Sequence, residues 1–398
     1  MASSDEDRMN RQRADRIVVS TTIPVSLWTF RRELVKDLVA RSHDVLLVTS
    51  PGELLNRTRD FTGARLAAIP MARSISPYAD IRGLTLWIRL LRRERPAVVM
   101  AGTPKAGLLG MIAAFLTGVP RRIYGLHGLR LEGSHGIQKA VLWAMERVAF
   151  ACATEVYAVS PSLRSRALSL RLGHSHKINV IGAGTSHGVN TQYFAPCHPD
   201  PELARRLGIQ SGTPVVGLVG RMTADKGIGS FCVALQLLKD QDVSVQVLVL
   251  GPQDEPDSVR FTRLLMMSRH RIVFAGSAYD IRPYYALMDI LCLPTRREGF
   301  PNVVLEASSM AVPSVTTRAT GAVDSVLPGI TGLIVDVDAP DQLAAAIASV
   351  VGDRTRCTQM GSSARKWVKD TFEEGAVVAQ IVERVTRPGF QRGVPSSR

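Results

Sequence analysis

Residues 296–307 read RREGFPNVVLEA and place two carboxylates, Glu298 and Glu306, eight residues apart. Pro301 suits the first position of a helix because its missing N–H would be unpaired there. A proline two residues after Ala311 disfavours continuation of that helix, so we expect it to end near Ala311. The free N–H groups of a helix N-terminus attract an anion. The sequence therefore predicts a ligand that is polyhydroxylated at both ends and anionic in the middle, which is the shape of a nucleotide sugar.

A second motif precedes this stretch and follows a buried strand predicted at Val215–Val219. It reads GRMTADKG at residues 220–227 and leads into an apolar-periodic helix over Ile228–Lys239. Glycines let the backbone approach a bulky anion. Arg221 suits planar, bidentate contact with phosphate, whereas Lys226 acts as a point charge. Two strand–turn–helix units thus carry cations and carboxylates suited to one ligand.

The two motifs together resemble the donor site of retaining GT-B glycosyltransferases of family 4. The resemblance implies that Glu298 contacts the transferred sugar and that Glu306 accepts hydrogen bonds from the ribose. It implies that Arg221 and Lys226 hold the diphosphate and stabilise it as it leaves. It also implies two Rossmann-like parallel-sheet domains facing across a cleft, and a reaction that needs no metal or other cofactor. The further residues expected at the donor site are Gly220, Phe274, Gly299, Phe300, Pro301 and Asn302.

Four other segments sharpen the resemblance. They read TSPG at 49–52, RSISP at 73–77, TPKAG at 103–107 and GTSHGVN at 184–190. They look like a bacterial branch whose members add a sugar, often an N-acetylhexosamine from a UDP donor, to polyprenyl-diphosphate-linked glycans for capsules, O-antigens or glycoproteins. The similarity spans residues 16–385. His187 and Asn190 depart from the pattern, where Asn and Asp are usual, so the sugar and the acceptor stay open, and a small-molecule acceptor is an alternative.

The first half supplies the residues expected on the acceptor side. Lys105 opens a helix after a strand, where it either faces an anionic acceptor or is only solvated. His127 lies between glycines just after a strand, a poor place for core packing, and in the family a His on the equivalent loop reaches towards the transferred sugar. A structural role is the alternative for His127. Arg130 and Glu132 are further candidates for acceptor contact.

Strands and helices alternate along the chain, which favours an α/β fold with parallel sheets covered on both faces. The predicted strands of the first half are at 17–22, 44–49, 97–101, 122–124, 155–159 and 177–181. Those of the second half are at 215–219, 244–250, 271–274, 290–294, 314–317 and 332–335. The predicted divisions are a disordered N-terminal arm at 1–15, an acceptor-binding domain at 16–195, a donor-binding domain at 196–375, and a helix returning to the first domain with a frayed tail at 376–398.

The basic charge lies almost entirely in the first half. Residues 1–195 contain 27 Lys and Arg against 14 Asp and Glu, whereas residues 196–398 contain 22 against 21. This asymmetry indicates an anionic partner, unless it reflects an arginine-rich composition. Aromatic residues make up 6% of the chain and do not interleave with the arginines, which argues against nucleic acid. A helix over Ile81–Arg93 carrying Leu84, Trp87 and several arginines is the candidate for contact with an anionic membrane surface.

The five cysteines show no paired spacing, which indicates a reducing compartment without structural zinc. The polar N-terminus does not resemble a signal peptide. No run reaches the roughly 18 apolar residues that a membrane span needs. We therefore expect a cytoplasmic protein that is peripheral, at the inner face of the plasma membrane, if it meets membrane at all. Two other classes stay open: a nucleotide-sugar epimerase, which shares the architecture, and a non-catalytic membrane-surface binding protein.

Overall fold

A computed structural model describes residues 16–72, 76–253 and 257–387. The predicted N-terminal arm, the start of the 73–77 segment and the tail after residue 387 lie outside the described residues. Two parallel sheets form in the described part of the chain, one of seven strands and one of six. Both are flanked by helices, which confirms the predicted fold class.

The first sheet has the order β3-β2-β1-β4-β5-β6-β7, and every pair in it is parallel. Its central strands are continuous apolar runs because helices cover both faces. The strand β3 is short and largely unburied, and the sequence did not predict it. The strands are β1 (Arg16–Ser20), β2 (Asp44–Thr49), β3 (Arg65–Ala68), β4 (Val98–Gly102), β5 (Arg121–Leu126), β6 (Glu155–Ala158) and β7 (Ile178–Val180).

The helices of this half are α1 (Pro24–Ala40), α2 (Glu53–Thr62), α3 (Pro77–Glu94), α4 (Pro104–Leu116), α5 (Gly136–Cys152) and α6 (Pro161–Ser169). Four of them, α1, α3, α4 and α6, begin with a proline, whose fixed φ suits the first turn. Trp87 of α3 is fully buried in the core. Trp87 therefore cannot face lipid as the sequence suggested, and Tyr78 and Ile81 are the exposed apolar residues of that helix.

The second sheet has the order β10-β9-β8-β11-β12-β13 and is again parallel. Its six strands match the six predicted, and their bounds differ from the prediction only at strand ends. The strands are β8 (Val215–Val219), β9 (Gln246–Leu250), β10 (Arg271–Gly276), β11 (Ile290–Leu293), β12 (Ser314–Thr317) and β13 (Gly332–Val335). The helices that follow α6 in the chain are α7 (Pro201–Leu207), α8 (Ile228–Asp240), α9 (Ser258–Met266), α10 (Arg282–Tyr285), α11 (Asn302–Ser309), α12 (Pro340–Val351), α13 (Arg354–Thr371) and α14 (Glu374–Thr386).

The last described helix, α14, packs on the first half of the chain. Its buried face joins the core beneath β1 and α1. Arg121 of β5 donates hydrogen bonds to the carbonyls of Arg384, Val385 and Arg387 at 2.7–2.9 Å. One arginine thus satisfies carbonyl groups that a helix C-terminus leaves unpaired, and it fastens the end of the chain to the first sheet.

Candidate active site

A cavity of about 700 Å³ opens between the two halves of the molecule, beyond the carboxyl ends of the strands. Ligands bind at this position in open α/β sheets. Four of the residues predicted from the sequence line it: Lys105, His127, Arg130 and Arg221. Its other lining residues are Thr22, Ile23, Ser26, Thr103, Pro104, Tyr124, Gly125, Gly128, Asp225 and Arg297.

The two halves meet closely at the loop that carries Glu298. A Cβ on Gly299 would lie 2.0 Å from the carbonyl oxygen of His127, so only glycine fits there. The backbone N–H of Glu298 donates to the carbonyl of Thr320 at 2.8 Å. The close approach at Gly299 lays the acidic loop against the histidine loop of the first sheet, and the bond to Thr320 fixes that loop within the second half.

Lys226 and Glu298 form an ion pair on the donor side of the cleft. Lys226 Nζ lies 2.5 Å from Glu298 Oε1, and both side chains are largely covered. The adjoining Gly227 has φ +69°, and a Cβ there would lie 1.7 Å from the carbonyl oxygen of Pro294. The turn after β8 is therefore fixed, and it places the lysine against the glutamate. The structure thus brings together the residue predicted to hold phosphate and the residue predicted to contact sugar.

A second ion pair lies beside the first and was not predicted. Arg297 donates to Asp225 at 2.9 Å, and both line the cavity. Burial would raise the pKa of Asp225, but the hydrogen bond from Thr223 and the charges of Arg297, Lys226 and Arg221 outweigh burial and lower it. Asp225 therefore stays ionised between these cations. The feature of the sequence that pointed to this pair was Arg297, the basic residue directly before Glu298.

Glu306 is held by a tyrosine. Tyr285 Oη donates to Glu306 Oε2 at 2.9 Å. Burial raises the pKa of Glu306 to about 7, and the hydrogen bond from Tyr285 opposes that rise. The carboxyl group therefore loses its proton near neutral pH. Its strength as an acceptor of hydrogen bonds from hydroxyl groups depends on pH for this reason.

The helix that carries Glu306 is shorter than predicted. Pro301 is the N-cap of α11, with an extended backbone, and not its first helical residue. The helix ends at Ser309 instead of near Ala311 because Ala311 has φ +61°, which cannot continue a right-handed helix. The N-terminus of α11 is thus displaced by one residue from the position expected from the proline.

Five other predicted donor residues differ in what surrounds them: the protein core, the other half of the molecule, or open space. The Phe300 ring packs on Phe372 with 5.4 Å between centroids, and Phe274 packs on the core of the second sheet. Asn302 Oδ1 accepts from Thr185 Oγ1 at 3.4 Å, across the junction between the halves. Gly220 has φ +138° with open space where a Cβ would be, and Gly299 makes the tight contact described above. The two phenylalanine side chains are thus occupied in packing, whereas Gly220 leaves room beside Arg221.

The predicted acceptor residues are tied to protein partners. Lys105 is buried at the cavity wall and its Nζ lies 2.6 Å from Asp80. Glu132 accepts hydrogen bonds from Arg166 at 3.0 Å and from Thr320 of the other half at 2.8 Å. The lysine charge is thus compensated within the protein, and Glu132 bridges the two halves of the molecule. Neither arrangement was visible in the sequence.

His127 contacts a buried arginine that sequence reasoning did not single out. Its Nε2 lies 2.6 Å from Nη2 of Arg31 on α1. The pKa of His127 is held well below its usual value by burial and then by the positive charge of Arg31, with a further lowering from the neighbouring His187 ring. The imidazole is therefore neutral in the cleft. The pattern of α1 gives no signal for this role, because Arg31 adjoins another arginine on an amphipathic helix.

Within the described ranges, no group of three or more His, Cys, Asp or Glu side chains is arranged to hold a metal ion. An Asp-x-Asp sequence occurs after β13, where Asp336 pairs with Arg318 and Asp338 pairs with Arg296. These aspartates do not line the cavity. None of the helices in the described part of the chain combines the length and the hydrophobicity of a membrane-spanning segment.

Two family models match the chain, one after the other. The model described as a glycosyl transferase 4-like domain matches residues 27–184, and the model described as glycosyl transferases group 1 matches residues 213–353. Together they cover most of the two sheets and both sides of the cleft.

Two curated relatives are similar over most of their length. The capsular polysaccharide biosynthesis glycosyltransferase CapM of Staphylococcus aureus is 34% identical over 366 residues, which is 92% of this chain and 94% of CapM. The UDP-Gal:α-D-GlcNAc-diphosphoundecaprenol α-1,3-galactosyltransferase of Escherichia coli is 26% identical over 291 residues, 71% of this chain and 74% of that protein. Among solved structures, Anabaena HepE in complex with UDP and glucose matches with a TM-score of 0.76 and 20% identity, over 94% of this chain and 99% of HepE. At that identity the likeness to HepE shows a common GT-B fold.

Proposed function

Because the chain belongs to glycosyltransferase family 4, we propose that it transfers a hexose or an N-acetylhexosamine from a UDP-sugar to a hydroxyl group of a lipid-linked glycan. The anomeric configuration is retained, and the product serves cell-surface polysaccharide or glycoprotein synthesis. The chain is a GT-B glycosyltransferase related to capsular polysaccharide and lipid-linked sugar transferases. The donor, the acceptor and the stereochemistry are the parts that we propose.

The observation that carries the proposal is the cation–carboxylate array on the donor side. Lys226 and Glu298 lie 2.5 Å apart, and Arg221 lines the cavity beside them. A diphosphate beside Arg221 and Lys226 would place the adjoining sugar near Glu298. The N-terminus of α11, at Asn302, lies four residues after Glu298 and adds its partial positive charge.

The proposed reaction breaks the bond between the anomeric carbon and the β-phosphate oxygen. Arg221, Lys226 and the N-terminus of α11 stabilise the charge that develops on the leaving UDP. The acceptor oxygen forms its bond to the same face of the anomeric carbon, and its proton passes to an oxygen of the leaving phosphate. Glu298 orients the sugar hydroxyls. Because its carboxylate is already paired with Lys226, we assign it no covalent step.

The base of the proposed nucleotide rests on similar proteins, and the position of its ribose rests on Glu306. The relative from E. coli is named for a UDP-Gal donor, and HepE was solved with UDP and glucose. In this chain Glu306 lies on α11, and a hydrogen bond from Tyr285 fixes its side chain. If the diphosphate contacts Arg221 and Lys226, the ribose would lie beside Glu306. We propose that the reaction requires no divalent metal, because these cations provide the charge that a metal would supply.

A lipid-linked acceptor is favoured by the surface of the first half. Tyr78 and Ile81 of α3 and Ile137 of α5 are 81%, 68% and 85% exposed, on a domain with a large excess of basic residues. Apolar residues beside basic ones suit the surface of an anionic membrane. The acceptor named for the relative from E. coli carries diphosphoundecaprenol. We therefore place the protein in the cytoplasm, in peripheral contact with the inner face of the plasma membrane.

Nucleotide release tests the proposal. The protein is incubated with a panel of UDP-, GDP- and dTDP-sugars in EDTA, with and without a polyprenyl-lipid extract. We expect UDP release from one sugar that depends on the lipid and is lost in Glu298→Ala. Release that needs no lipid but requires a soluble acceptor would replace the lipid assignment, and conversion of the sugar nucleotide with no acceptor would indicate an epimerase. Flotation with anionic and neutral liposomes tests the membrane contact separately.

A further inference from the structure

We infer that Arg31 is a positioning residue that fixes His127 as the imidazole tautomer with its proton on Nδ1, so that this ring donates a hydrogen bond into the cleft. The inference rests on the proposed function only for the identity of the ligand, an oxygen of the sugar. The tautomer itself follows from the contacts of the two side chains.

The first step is the direction of one hydrogen bond. Nη2 of Arg31 lies 2.6 Å from Nε2 of His127. A guanidinium group carries five N–H donors and no acceptor, so Nε2 must be the acceptor. A neutral imidazole has one protonated nitrogen and one lone-pair nitrogen. With the lone pair on Nε2, the proton is on Nδ1.

The position of the His127 ring depends on two glycines. A Cβ on Gly102 would lie 2.7 Å from His127 Nε2 and 2.9 Å from Cδ2, and a Cβ on Gly125 would lie 3.1 Å from Nε2. These glycines, at the ends of β4 and β5, let the Nε2 edge of the ring lie against the sheet beside Arg31. Since the sheet occupies the Nε2 edge, we assign the opposite edge, which carries Nδ1, to the cavity that His127 lines.

The third step is the fixed position of Arg31. Its side chain is buried, and Nη1 donates to the carbonyl of Ser186 at 3.1 Å. Burial lowers the pKa of Arg31 to about 10, so the guanidinium keeps its charge and all its donors at neutral pH. Arg31 thus joins α1, the histidine loop and the segment at the junction of the two halves.

The charges around the ring also oppose an imidazolium. His187 is the other titratable group next to Arg31, and its Nδ1 lies 2.8 Å from Ser186 Oγ. Burial, followed by the charges of Arg31 and Arg32, lowers the pKa of His187 to about 3, so His187 is neutral as well. The charged side chains that line the cavity with His127 are Lys105, Arg130, Arg221, Asp225 and Arg297. The Lys226–Glu298 pair lies beside Arg221.

Two consequences follow for the chemistry of His127. Its Nε2 lone pair is engaged by Arg31 and its Nδ1 already carries a proton, so the ring cannot accept the proton of the acceptor hydroxyl. The Nδ1–H can instead donate to a sugar oxygen, which orients the donor in the cleft. This chain therefore uses His127 for orientation and leaves the proton to the departing phosphate.

The test reads the tautomer directly. The full-length protein is labelled with ¹⁵N-histidine, and the ring nitrogens of His127 are assigned by the loss of signal in His127→Asn. We expect Nδ1 protonated and Nε2 unprotonated in the unmodified protein. In Arg31→Met we expect a mixture of tautomers and a pKa above that of the unmodified protein, because the charge of Arg31 is gone while burial remains. Arg32→Met removes the same charge from the same helix without touching His127, and we expect it to leave the His127 tautomer unchanged.

Turnover gives a second readout once a donor is known. The ratio of kcat in Arg31→Met to kcat in the unmodified protein should be several-fold below one at pH 8. It should recover as the pH falls through the new pKa of His127, because an imidazolium again carries a proton on Nδ1. Arg31→Lys keeps a donor and a charge, so its loss should be smaller and independent of pH.

Protonated Nε2 in the unmodified protein would overturn the inference, and so would an unchanged tautomer in Arg31→Met or a kcat ratio that does not vary with pH. If Arg31→Met fails to fold, the spectra of the unmodified protein and of Arg31→Lys still decide. Because the spectra need no substrate, absence of turnover with every donor would count against the proposed function and not against the tautomer.

Discussion

The donor half and the acceptor half differ in how their functional residues are held. On the donor side, Lys226 and Asp225 lie in one short motif, and their partners Glu298 and Arg297 lie in the other. On the acceptor side, His127 is held by Arg31, which lies 96 residues away and in no motif. The donor half is nearly neutral because its basic and acidic residues are almost equal in number, whereas the acceptor half carries most of the net charge. Paired charges within short motifs can be predicted from a sequence, whereas buried contacts between distant elements cannot.

Replacement of Lys226 by Ala should give the largest effect on the donor side. It removes a charge that stabilises the leaving phosphate and leaves Glu298 without its partner. We expect kcat to fall by about 10²–10³-fold, the range seen when one preorganised stabilising group is lost. Steady-state UDP release measures it. Lys239→Ala, an exposed lysine at the end of α8, is the matched control, and near-normal kcat in Lys226→Ala would disprove the phosphate assignment.

A smaller loss is expected for Glu298→Gln, which keeps a hydrogen bond to Lys226 but removes the negative charge. We expect kcat to fall by about 10-fold to 10²-fold, the worth of one hydrogen bond to a charged group. The KM for the donor should change less. Arg296→Gln alters a residue two positions before Glu298, which pairs with Asp338 and does not line the cavity. Equal effects of the two variants would contradict a direct contact between Glu298 and the sugar.

The pH dependence of nucleotide binding sharpens the assignment of Glu306. The pKa of Glu306 is about 7 in the folded protein, against an ordinary value of 4.5. Between these two pH values the folded protein therefore keeps a proton that the unfolded chain has lost. Glu306 therefore destabilises the fold as pH rises through that window. Ribose hydroxyls donate more strongly to an ionised carboxylate, so UDP affinity should increase several-fold from pH 6 to pH 8.

Calorimetric titration with UDP at several pH values measures this rise. Glu306→Gln should flatten it and leave only the titration of the nucleotide itself. Tyr285→Phe should move the midpoint to higher pH, because the hydrogen bond from Tyr285 lowers the pKa of Glu306. A rise of the same size in Glu306→Gln would remove Glu306 from the ribose site.

The smallest effect is expected at the bridge between the halves. Glu132 accepts a hydrogen bond from Thr320, whose carbonyl accepts the N–H of Glu298. Thr320→Val removes the side-chain bond and keeps the size, and we expect a rise in KM of about 2-fold to 10-fold, the worth of one net hydrogen bond. If Glu132 contacts the acceptor directly, as the sequence suggested, Glu132→Gln will raise the acceptor KM far more than Thr320→Val.

The sequence was sufficient for the architecture because parallel strands buried on both faces are continuous apolar runs, and β2, β8, β12 and β13 match their predicted bounds. It missed β3, a four-residue strand at the edge of the first sheet with little buried surface. It placed Pro301 inside α11, because proline is compatible with both the N-cap and the first turn and only the surrounding backbone decides between them.

The residues of the site could be predicted from the sequence better in the donor half than in the acceptor half. Arg221, Lys226 and Glu298 stand in motifs whose spacing carries the chemistry, and the structure places them together. The partners of Lys105, His127 and Glu132 depend on how α1, α3 and the second sheet pack. A single sequence contains no signal for such contacts, since the pattern of Arg31 on an amphipathic helix is the same whether the arginine is buried against a histidine or exposed.

The stereochemistry of transfer tests the central claim most directly. Once UDP release has identified the donor, the new linkage in the lipid-linked product is examined by proton NMR, from the coupling of the anomeric proton. Attack on the face from which UDP departs predicts the same anomeric configuration in the product as in the UDP-sugar, with formation lost in Lys226→Ala. An inverted linkage would contradict the account, because it would require a base on the opposite face of the sugar.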